Sequence, residues 1–508
     1  MRPGSTPPGT HLWDFQAARA PSAASSEASP CEGPSRQAGV DSGRPGRVSG
    51  AVRPPVKRYF VHTFGCQMNV NDSLRMGEAL ATIGYKPTPT AEAADLIILN
   101  TCAIREKAED KMLSALGRYR AVKTQRGALL AVGGCVAQQE KSRLLHRVPY
   151  LDFVFGPDAI GKLPEIVTRV SADRVRVTET AWVDSEEYVF PRADPGSSAG
   201  KVSEFVTVMK GCDNVCSFCV VPHTRGREVS RPFVEVLEEV DALAHVGIRE
   251  VTLIGQNVNS YRGGIDFAEL LLRVAQVPGI ERVRFTTSHP HDLSDALIDA
   301  FRTEPRIAPH FHLPVQSGSD SVLQRMKRDY TVAQYLVRLE ALRVARPGIA
   351  VTTDIIVGFP GETEDDFQAT LALTEQVRYD NQFSFVFSPR PRTVAGLKEA
   401  SWGPVSHEVK VERLERLQVV QRRIGTEIAA ELIGQQVEVL VEGPSRSNPT
   451  RRFGRTPENR TVNFDGAAPT GARVQVHIDR ASPNALSGTE VALVDLPPVP
   501  PLRPEEAA

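Results

Sequence analysis

Apolar, β-rich runs alternate with segments of helical periodicity along most of this 508-residue chain, and this alternation restricts the fold more than any other feature. The run from Arg58 to Gly65 is followed by a helical segment, and runs ending at Asn100 and Gly134 repeat the pattern. Such alternation is typical of βαβ units that build a parallel sheet. We therefore expect an N-terminal parallel α/β sheet domain over residues 56–183.

A second α/β stretch begins at Glu204 and contains six strand candidates, two fewer than the eight strands of a closed barrel. We expect an open, partial (β/α)6 barrel whose lateral mouth admits a large substrate, within a domain over residues 200–433. The polar stretch 184–201, which contains Pro, Gly and Ser, is interpreted as a linker between the two α/β domains.

The alternation changes to period two after Gly434, with turn residues between the runs. This pattern predicts a small β-barrel domain over residues 434–496. Residues 1–55 and the tail 497–508 are rich in Pro, Gly, Ser or charge, and we expect both to be disordered. The N-terminal segment carries more acidic residues than transit peptides usually do, and its Cys31 is interpreted as a bystander.

The composition restricts the partners and the compartment. Lys and Arg number 60 and Asp and Glu number 61, so one uniform positive field cannot hold nucleic acid. Seven cysteines are too few for a disulfide scaffold in so long a chain, which favours reduced thiols with a chemical role. Apolar runs of about 18 residues are absent, so we expect a cytoplasmic protein without a membrane partner.

Three cysteines form a Cys-x3-Cys-x2-Cys motif directly after the first strand of the second α/β stretch: Cys212, Cys216 and Cys219, hereafter the loop cysteines. Three thiolates in one short loop can bind three irons of a cubane cluster and leave the fourth iron open as a substrate site. Structural zinc is the competing interpretation, but it requires four closed ligands. His223 could supply the fourth ligand, and three ordinary buried cysteines are a further alternative.

Three isolated cysteines share one topological position in the N-terminal stretch: Cys66, Cys102 and Cys135, hereafter the sheet-edge cysteines. Each follows the end of a predicted strand, in a βα turn. Because the carboxyl ends of parallel strands meet at one edge of the sheet, these thiols can converge although more than 30 residues separate them. The competing interpretation is that cysteine is simply a favoured small buried residue.

Several motifs occur in an order that resembles one family. The loop cysteines, with Phe218 before the last of them, resemble the signature of the radical S-adenosylmethionine superfamily. Further motifs between about Tyr59 and Phe387 resemble the methylthiotransferases, most closely the MiaB type: TFGCQMNVNDS, NTCAIREKAEDK, GGCVAQQE, LIGQNVNSY, TSHP, HLPVQSGSD and TDIIVGFPGETEDDF. The RimO-type enzymes share the cysteines, but they resemble TLGC-PKN where this chain has TFGCQMN.

The resemblance implies a tRNA enzyme that replaces the C2 hydrogen of N6-isopentenyladenosine 37 with a methylthio group. It implies two 4Fe-4S clusters, a radical cluster on the loop cysteines and an auxiliary, sulfur-carrying cluster on the sheet-edge cysteines. One S-adenosylmethionine would methylate the sulfur, and a second would supply the radical. The implied partners are the tRNA anticodon stem-loop, a one-electron reductant such as flavodoxin or ferredoxin, and a sulfur donor, with the enzyme as a monomer.

Polar residues and glycines follow the strands of the second stretch, where a barrel builds its ligand-binding face. Any one of them could instead cap a helix or form a turn. We assign these residues to contacts with S-adenosylmethionine: Gly255, Gln256, Asn257, Ser288, Gln316, Ser317 and Gly358.

The C-terminal stretch is similar to the TRAM module of RNA-modifying enzymes, an OB-like barrel expected to grip tRNA. Five arginines lie within 15 residues there, opposed only by Glu458, and we expect them to contact RNA: Arg446, Arg451, Arg452, Arg455 and Arg460. A merely solvated basic loop is the alternative. Arg225, Arg227 and Arg231 follow the loop cysteines, where they could meet phosphates or pair with nearby acids.

One loop departs from the family pattern. Arg392 and Val394 stand where the family usually resembles RPGTPA, which questions the conformation of that loop. The alternative functions keep the chemistry but change the acceptor to threonylcarbamoyl-adenosine or a ribosomal-protein aspartate. A non-catalytic iron-sulfur protein that binds RNA or carries electrons is the alternative from a different class.

Overall fold

The computed structural model describes residues 56–103 and 106–496, without the side chains of residues 106–108. The segments 1–55 and 497–508, which the sequence predicts to be disordered, lie outside the described residues. Within the described part, no helix is both long and apolar enough to cross a membrane.

The N-terminal domain is a six-stranded parallel sheet with helices on both faces. Its two central strands are buried along their whole length because each face packs against helices, which explains their continuous apolar runs. In chain order the elements are β1 (Arg58–Phe64), α1 (Gln67–Ala81), β2 (Lys86–Pro87), β3 (Leu96–Thr101), α2 (Glu106–Arg126), β4 (Leu129–Gly134), α3 (Cys135–Glu140), α4 (Ser142–Arg147), β5 (Phe153–Phe155), α5 (Leu163–Asp173) and β6 (Val177–Glu179), and the strand order is β2-β1-β3-β4-β5-β6.

The segment interpreted as a linker packs against both α/β domains. It contains a short helix, α6 (Pro195–Ser198), and buries Phe190, Ala193 and Ser198. The Ala193 amide donates to the Glu239 carboxylate at 2.8 Å. A few buried apolar residues and backbone hydrogen bonds are enough to fix such a connecting stretch.

The middle domain holds the six predicted strands in two parallel three-stranded sheets, in the orders β11-β10-β7 and β12-β13-β14. A parallel bridge between Val283 and Ile307 joins them, and the described residues show no closure of the barrel between its two end strands. The elements are β7 (Ser203–Thr207), β8 (Met209–Lys210), α7 (Val221–Thr224), β9 (Val229–Ser230), α8 (Phe233–His245), β10 (Glu250–Ile254), α9 (Phe267–Ala275), β11 (Arg282–Phe285), α10 (Asp295–Thr303), β12 (His310–His312), α11 (Asp320–Arg325), α12 (Val332–Ala345), β13 (Ala350–Val357), α13 (Glu364–Val377), β14 (Asn381–Val386), α14 (Val394–Trp402) and α15 (His407–Ala430).

The C-terminal domain is a closed five-stranded barrel, as the period-two pattern predicts. Val474, Val476 and Ile478 alternate along one strand and fill the interior. The strands are β15 (Gln436–Pro444), β16 (Arg452–Arg455), β17 (Thr461–Asp465), β18 (Arg473–Ser482) and β19 (Ala485–Asp495), in the order β15-β16-β17-β19-β18. The open barrel of the middle domain and this closed barrel confirm the predicted fold class.

Arginines of the middle domain hold the C-terminal barrel in place. The Arg249 guanidinium donates to the Gly471 carbonyl and pairs with Asp495 at 3.0 Å. Arg284 donates to the carbonyls of Thr456 and Pro457, both at 2.8 Å. These contacts fix the barrel against the middle domain at Arg249, just before β10, and at Arg284, in β11.

Candidate active site

The sheet-edge cysteines lie at one edge of the N-terminal sheet. The three neighbouring strands β1, β3 and β4 are in register so that Phe64, Thr101 and Gly134 stand side by side at their carboxyl ends. Cys66 follows this row by two residues, and Cys102 and Cys135 follow it by one. The Cys102 amide donates to the Phe64 carbonyl at 2.9 Å, which holds the first two turns together.

The three sheet-edge thiols also interact electrostatically. A hydrogen bond from the Cys102 side chain, with the positive charge of Arg225, lowers the pKa of Cys66 to about 6 against the effect of burial. The Cys66 thiol lies 3.4 Å from Asn69 Oδ1, at the start of α1. Burial raises the pKa of Cys135, and Arg225 partly opposes that effect. A thiolate at Cys66 therefore forms readily, and thiolates are the form in which cysteine binds metals.

The loop cysteines are held close together by a tight backbone turn. The Cys219 amide donates to the Cys216 carbonyl at 3.1 Å, and the Cys212 amide donates to the Gly226 carbonyl at 3.3 Å. Gly211 has a φ of +75°, and a Cβ there would lie 1.9 Å from the Arg227 carbonyl oxygen. Only glycine fits immediately before the first loop cysteine.

Burial makes the loop cysteines reluctant to ionise without a metal. It raises the pKa of Cys212 to about 11 and that of Cys219 to about 12, and the neighbouring Cys216 adds to both shifts. Bound cations invert this balance, because a coordinated thiol loses its proton outright. The effect of Cys216 on both Cys212 and Cys219 shows that the loop thiols lie near one another.

The donor chemistry of both cysteine sets, three thiols each, fits a cluster of irons. Among residues 56–103 and 106–496, no three His, Cys, Asp or Glu side chains are grouped to hold a metal ion. Ligands of a single zinc must all meet at one centre, whereas each cysteine of a cubane cluster binds a different iron. The donor chemistry of three thiols per set fits a 4Fe-4S cluster with one open iron.

Three of the residues assigned to S-adenosylmethionine carry buried polar atoms without a hydrogen-bond partner in the described structure: Gln256 Nε2, Asn257 Oδ1 and Ser288 Oγ. Buried polar atoms are almost always paired, so these three neighbouring atoms are available to bind a ligand. The Gly211 amide donates to Gln256 Oε1 at 2.5 Å, directly before the loop cysteines. The strand ends after β10 and β11 therefore offer polar groups beside the cysteine loop.

The other assigned residues have structural contacts. Gln316 adopts a φ of +73° and forms a parallel bridge with Ile355. The Ser317 hydroxyl accepts from the Ser319 amide at 3.2 Å. A Cβ on Gly358 would lie 2.3 Å from Lys410 Cγ, and a Cβ on Gly255 would lie 2.6 Å from the Met209 sulfur. These four residues therefore have structural contacts, and none of them carries an unpaired buried side-chain atom in the described structure. The polar groups of Gln256, Asn257 and Ser288 are hereafter called the polar face.

Two buried arginines reach the cysteine sulfurs, and sequence reasoning missed both roles. Arg225 Nε donates to Cys135 Sγ at 3.3 Å, and its other nitrogens pair with Asp72. Arg328 Nη1 donates to Cys216 Sγ at 3.5 Å. The sequence carried no signal for either contact, because each partner lies about 90 residues or more away along the chain.

Arg231 follows the ion-pairing alternative rather than the phosphate-binding one, and Arg227 forms an exposed ion pair that leaves both alternatives open. Arg231 is fully buried and pairs with Glu239 at 2.5 Å, and Arg227 pairs with Asp213 at 2.9 Å on the surface. The buried Arg231 guanidinium, which already binds a carboxylate, cannot reach a phosphate backbone, whereas the exposed Arg227 is accessible to one.

At least three of the five arginines predicted to contact RNA on the C-terminal barrel form ion pairs with acids. Arg451 pairs with Asp465 at 2.9 Å, Arg455 with Glu442 at 3.2 Å, and Arg460 with Asp380 of the middle domain at 2.5 Å. Of the other members of the predicted patch, Arg446 is exposed and Arg452 is partly exposed in β16. The basic patch on this barrel is therefore smaller than the sequence suggests.

The loop with the unusual sequence lines a cleft at the sheet edge. A cleft of about 370 Å³ lies between Cys102 and the segment from Ser388 to Pro391. Arg392 adopts a φ of +66° just beyond it, and Thr393 then caps α14 through a hydrogen bond to its side chain from the Gly396 amide. The departure from the family pattern thus adjoins the sheet-edge cysteines.

Comparisons with protein families agree with the three domains seen in the structure. Residues 58–156 match the uncharacterized protein family UPF0004, residues 206–374 the radical SAM superfamily, and residues 430–491 the TRAM domain. The radical SAM match implies S-adenosylmethionine and one 4Fe-4S cluster as cofactors.

A solved structure supports the fold. The radical S-adenosylmethionine methyltransferase TsrM from Kitasatospora setae superposes with a TM-score of 0.51 at 16% sequence identity, over 68% of this chain and 76% of that chain. At that identity the likeness concerns the fold alone.

Curated relatives cover nearly the whole described chain. A protein of Myxococcus xanthus is 73% identical over 447 residues, 88% of this chain and 97% of its own length. A protein of Geobacter sulfurreducens is 49% identical over 439 residues, 85% of this chain and 97% of its own length. Both are named tRNA-2-methylthio-N(6)-dimethylallyladenosine synthase. The chain therefore belongs to the radical S-adenosylmethionine methylthiotransferases, in the branch of the tRNA-2-methylthio-N(6)-dimethylallyladenosine synthases.

Proposed function

We propose that this protein converts N6-isopentenyladenosine at position 37 of tRNA to its 2-methylthio derivative. The observation that carries the proposal is the presence of two three-cysteine sets on adjoining α/β domains, joined through Arg225, which contacts Cys135 and Asp72. One set suits radical generation and the other suits sulfur delivery. Relatives at up to 73% identity bear the name of this activity.

The loop cysteines would hold the cluster that binds S-adenosylmethionine, and the sheet-edge cysteines would hold a second, auxiliary 4Fe-4S cluster. When bound, these groups supply the electron that activates S-adenosylmethionine and the sulfur that is transferred. The chain would contribute an open coordination site, since each set offers three thiols for the four irons of a cluster. It also contributes an acidic, readily ionised thiol at Cys66.

The polar face after β10 and β11 would orient S-adenosylmethionine. The Gln256 side-chain amide is a free donor suited to the carboxylate of the methionine moiety. Asn257 Oδ1 and Ser288 Oγ are free acceptors suited to its amino group. Pairing these buried atoms with ligand would remove the penalty, about 1–3 kcal/mol each, of leaving them unsatisfied.

The C-terminal barrel would bind the anticodon stem-loop through Arg446 and Arg452, by contacts to phosphates. The proposal includes a one-electron reductant such as flavodoxin or ferredoxin, a sulfur donor that resupplies the auxiliary cluster, and a monomeric enzyme in the cytoplasm. The domain bounds 56–183, 200–433 and 434–496 stay predictions.

Mass analysis of tRNA nucleosides tests the proposed function. In a deletion strain, methylthio-isopentenyladenosine should disappear and isopentenyladenosine should accumulate, and the wild-type gene should restore the product. A gene encoding Cys102→Ala should not restore it. Persistence of the product in the absence of a paralogue would refute the assignment, and loss of the methylthio derivative of threonylcarbamoyl-adenosine instead would move the substrate to that nucleoside.

A second assay separates an enzyme from a non-catalytic iron-sulfur protein. Reduced, reconstituted protein should cleave S-adenosylmethionine, whereas the Cys216→Ala protein should not. If the reduced wild-type protein leaves S-adenosylmethionine intact, the non-catalytic class becomes the better description.

A further inference from the structure

Arg225 is a buried cation whose charge is matched by a carboxylate. Its Nη1 and Nη2 lie 3.3 and 2.5 Å from the two oxygens of Asp72, and its Nε donates to Cys135 Sγ. The side chains of Arg225 and Asp72 are 7% and 9% exposed. The guanidinium and the carboxylate together form a neutral unit beside the sheet-edge cysteines.

Arg328 is a buried cation of a different kind. It follows α11 and donates through Nη1 to Cys216 Sγ at 3.5 Å. Its Nε donates to the Tyr330 hydroxyl at 2.9 Å, and its Nη2 donates to the Pro314 carbonyl at 2.8 Å. All three contacts fix the guanidinium, but the two besides the sulfur are to neutral oxygen atoms.

Within the described part of the chain, Arg328 forms no ion pair with a carboxylate. This charge acts on a neighbouring side chain: burial and the Arg328 charge together lower the pKa of His289 to about 2. A buried charge without a counter-charge is costly unless a ligand supplies one. Cysteine thiolates in a bound cluster would supply that negative charge at Cys216.

We propose that Arg328 is a positioning residue that holds Cys216 and raises the reduction potential of the cluster on the loop cysteines, whereas Arg225, whose charge Asp72 offsets in part, raises the potential of the cluster on the sheet-edge cysteines less. This inference rests on the proposed function, since it requires a cluster on each set. One-electron reduction adds a negative charge to a cluster, and a nearby buried cation stabilises the reduced form. Hydrogen bonds to the sulfurs act in the same direction.

The consequence concerns the path of electrons. The external one-electron reductant gives up one electron, and the cluster beside Arg328 accepts it without a proton or a leaving group. The two arginines thus make the two cysteine sets electrostatically unequal. The set that must be reduced to start the reaction is the one beside the uncompensated cation.

Potentiometric titration followed by electron paramagnetic resonance tests this inference in the full chain. One parent carries alanine at all three sheet-edge cysteines, and the other carries alanine at all three loop cysteines, so each retains a single cluster. In the first parent, Arg328→Gln should reduce the equilibrium constant for reduction at least tenfold, a fall of 59 mV for one electron. Arg328→Lys, which keeps the charge, should cause a smaller fall than Arg328→Gln.

The matched control is the double variant Arg225→Gln with Asp72→Asn in the second parent. It removes a neutral pair beside a cysteine, so the potential should change by less than tenfold in equilibrium constant. The inference would be overturned if Arg328→Gln retained four irons and lowered the reduction potential by no more than this control changes it.

Tyr330→Glu keeps the inference testable if Arg328→Gln does not assemble its cluster. That substitution places a carboxylate beside Arg328, as Asp72 stands beside Arg225, and it should reduce the equilibrium constant for reduction at least tenfold. An unchanged potential overturns the inference. If the parents themselves do not hold about four irons each, the proposed function fails as well, which distinguishes the two failures.

Discussion

The guanidinium of Arg225 and the carboxylate of Asp72 form a bidentate ion pair across 153 residues of sequence. Asp72 lies in α1 of the N-terminal domain, and Arg225 follows α7 of the middle domain. The pair therefore joins the two domains that carry the two cysteine sets. Breaking a buried pair from one side leaves an uncompensated charge, which costs far more than the intact pair contributes.

We expect Asp72→Ala to lower the free energy of unfolding of the N-terminal and middle domains by about 3–5 kcal/mol. Denaturant unfolding followed by circular dichroism measures the change. Glu269→Ala is the control, because it breaks an exposed pair with Arg273, for which about 1 kcal/mol or less is expected. Equal shifts of the two unfolding midpoints would contradict the importance assigned to the buried pair.

Iron and sulfide analysis of anaerobically reconstituted protein tests the two clusters. Wild type should hold about eight irons, and alanine at all three loop cysteines should leave about four with a 4Fe-4S spectrum. Cys31→Ala should still hold about eight irons, since we interpret that cysteine as a bystander. A wild-type content of about four irons, lost entirely in the loop variant, would remove support for the auxiliary cluster.

Gly211→Ala should prevent the loop cysteines from binding their cluster. The new Cβ would lie 1.9 Å from the Arg227 carbonyl oxygen, and the φ of +75° disfavours any side chain. The iron content should therefore fall to about four per chain. Gly247→Ala is the matched control, because its φ is +94° but nothing lies within 4 Å of its Cβ, and it should retain all the iron.

Docking of the C-terminal barrel should weaken in acid through Asp495. Burial would raise the pKa of Asp495, but Arg473 and Arg249 outweigh it and lower the pKa to about 2. The folded protein therefore gains stability from this carboxylate above its unfolded pKa of about 3.9, and loses it as the pH falls through about 2. The stability of Asp495→Asn should depend less on pH than that of wild type between pH about 4 and about 2. The free energy of unfolding of the two apo-proteins is measured against pH, and parallel profiles would refute this prediction.

Arg446→Ala and Arg452→Ala should each weaken tRNA binding. Removing one phosphate contact should reduce the steepness of the dependence of log K on log salt by roughly one. Arg302→Ala is the control, since that arginine lies on the surface of α10 and pairs with Asp299. Filter binding at several salt concentrations measures the slopes, and an unchanged slope in both barrel variants would assign tRNA binding to another surface.

The sequence by itself determined the fold class and the family. Apolar residues recur with a different period in strands than in helices, so the order of strands and helices can be predicted from the sequence without tertiary contacts. The positions of Cys66, Cys102 and Cys135 after successive strands were predictable for the same reason, because parallel strands end at one edge. Their assignment to a cluster stays a prediction.

Only the tertiary structure decided which charges face each other. The pairs of Arg225 with Asp72 and of Arg328 with Cys216 span 153 and 112 residues. Likewise, the counter-charge of Arg460 is Asp380, which lies in the middle domain. Local patterns record only which residues prefer to be buried, whereas an ion pair depends on the position of two distant backbones, which the packing of whole domains fixes.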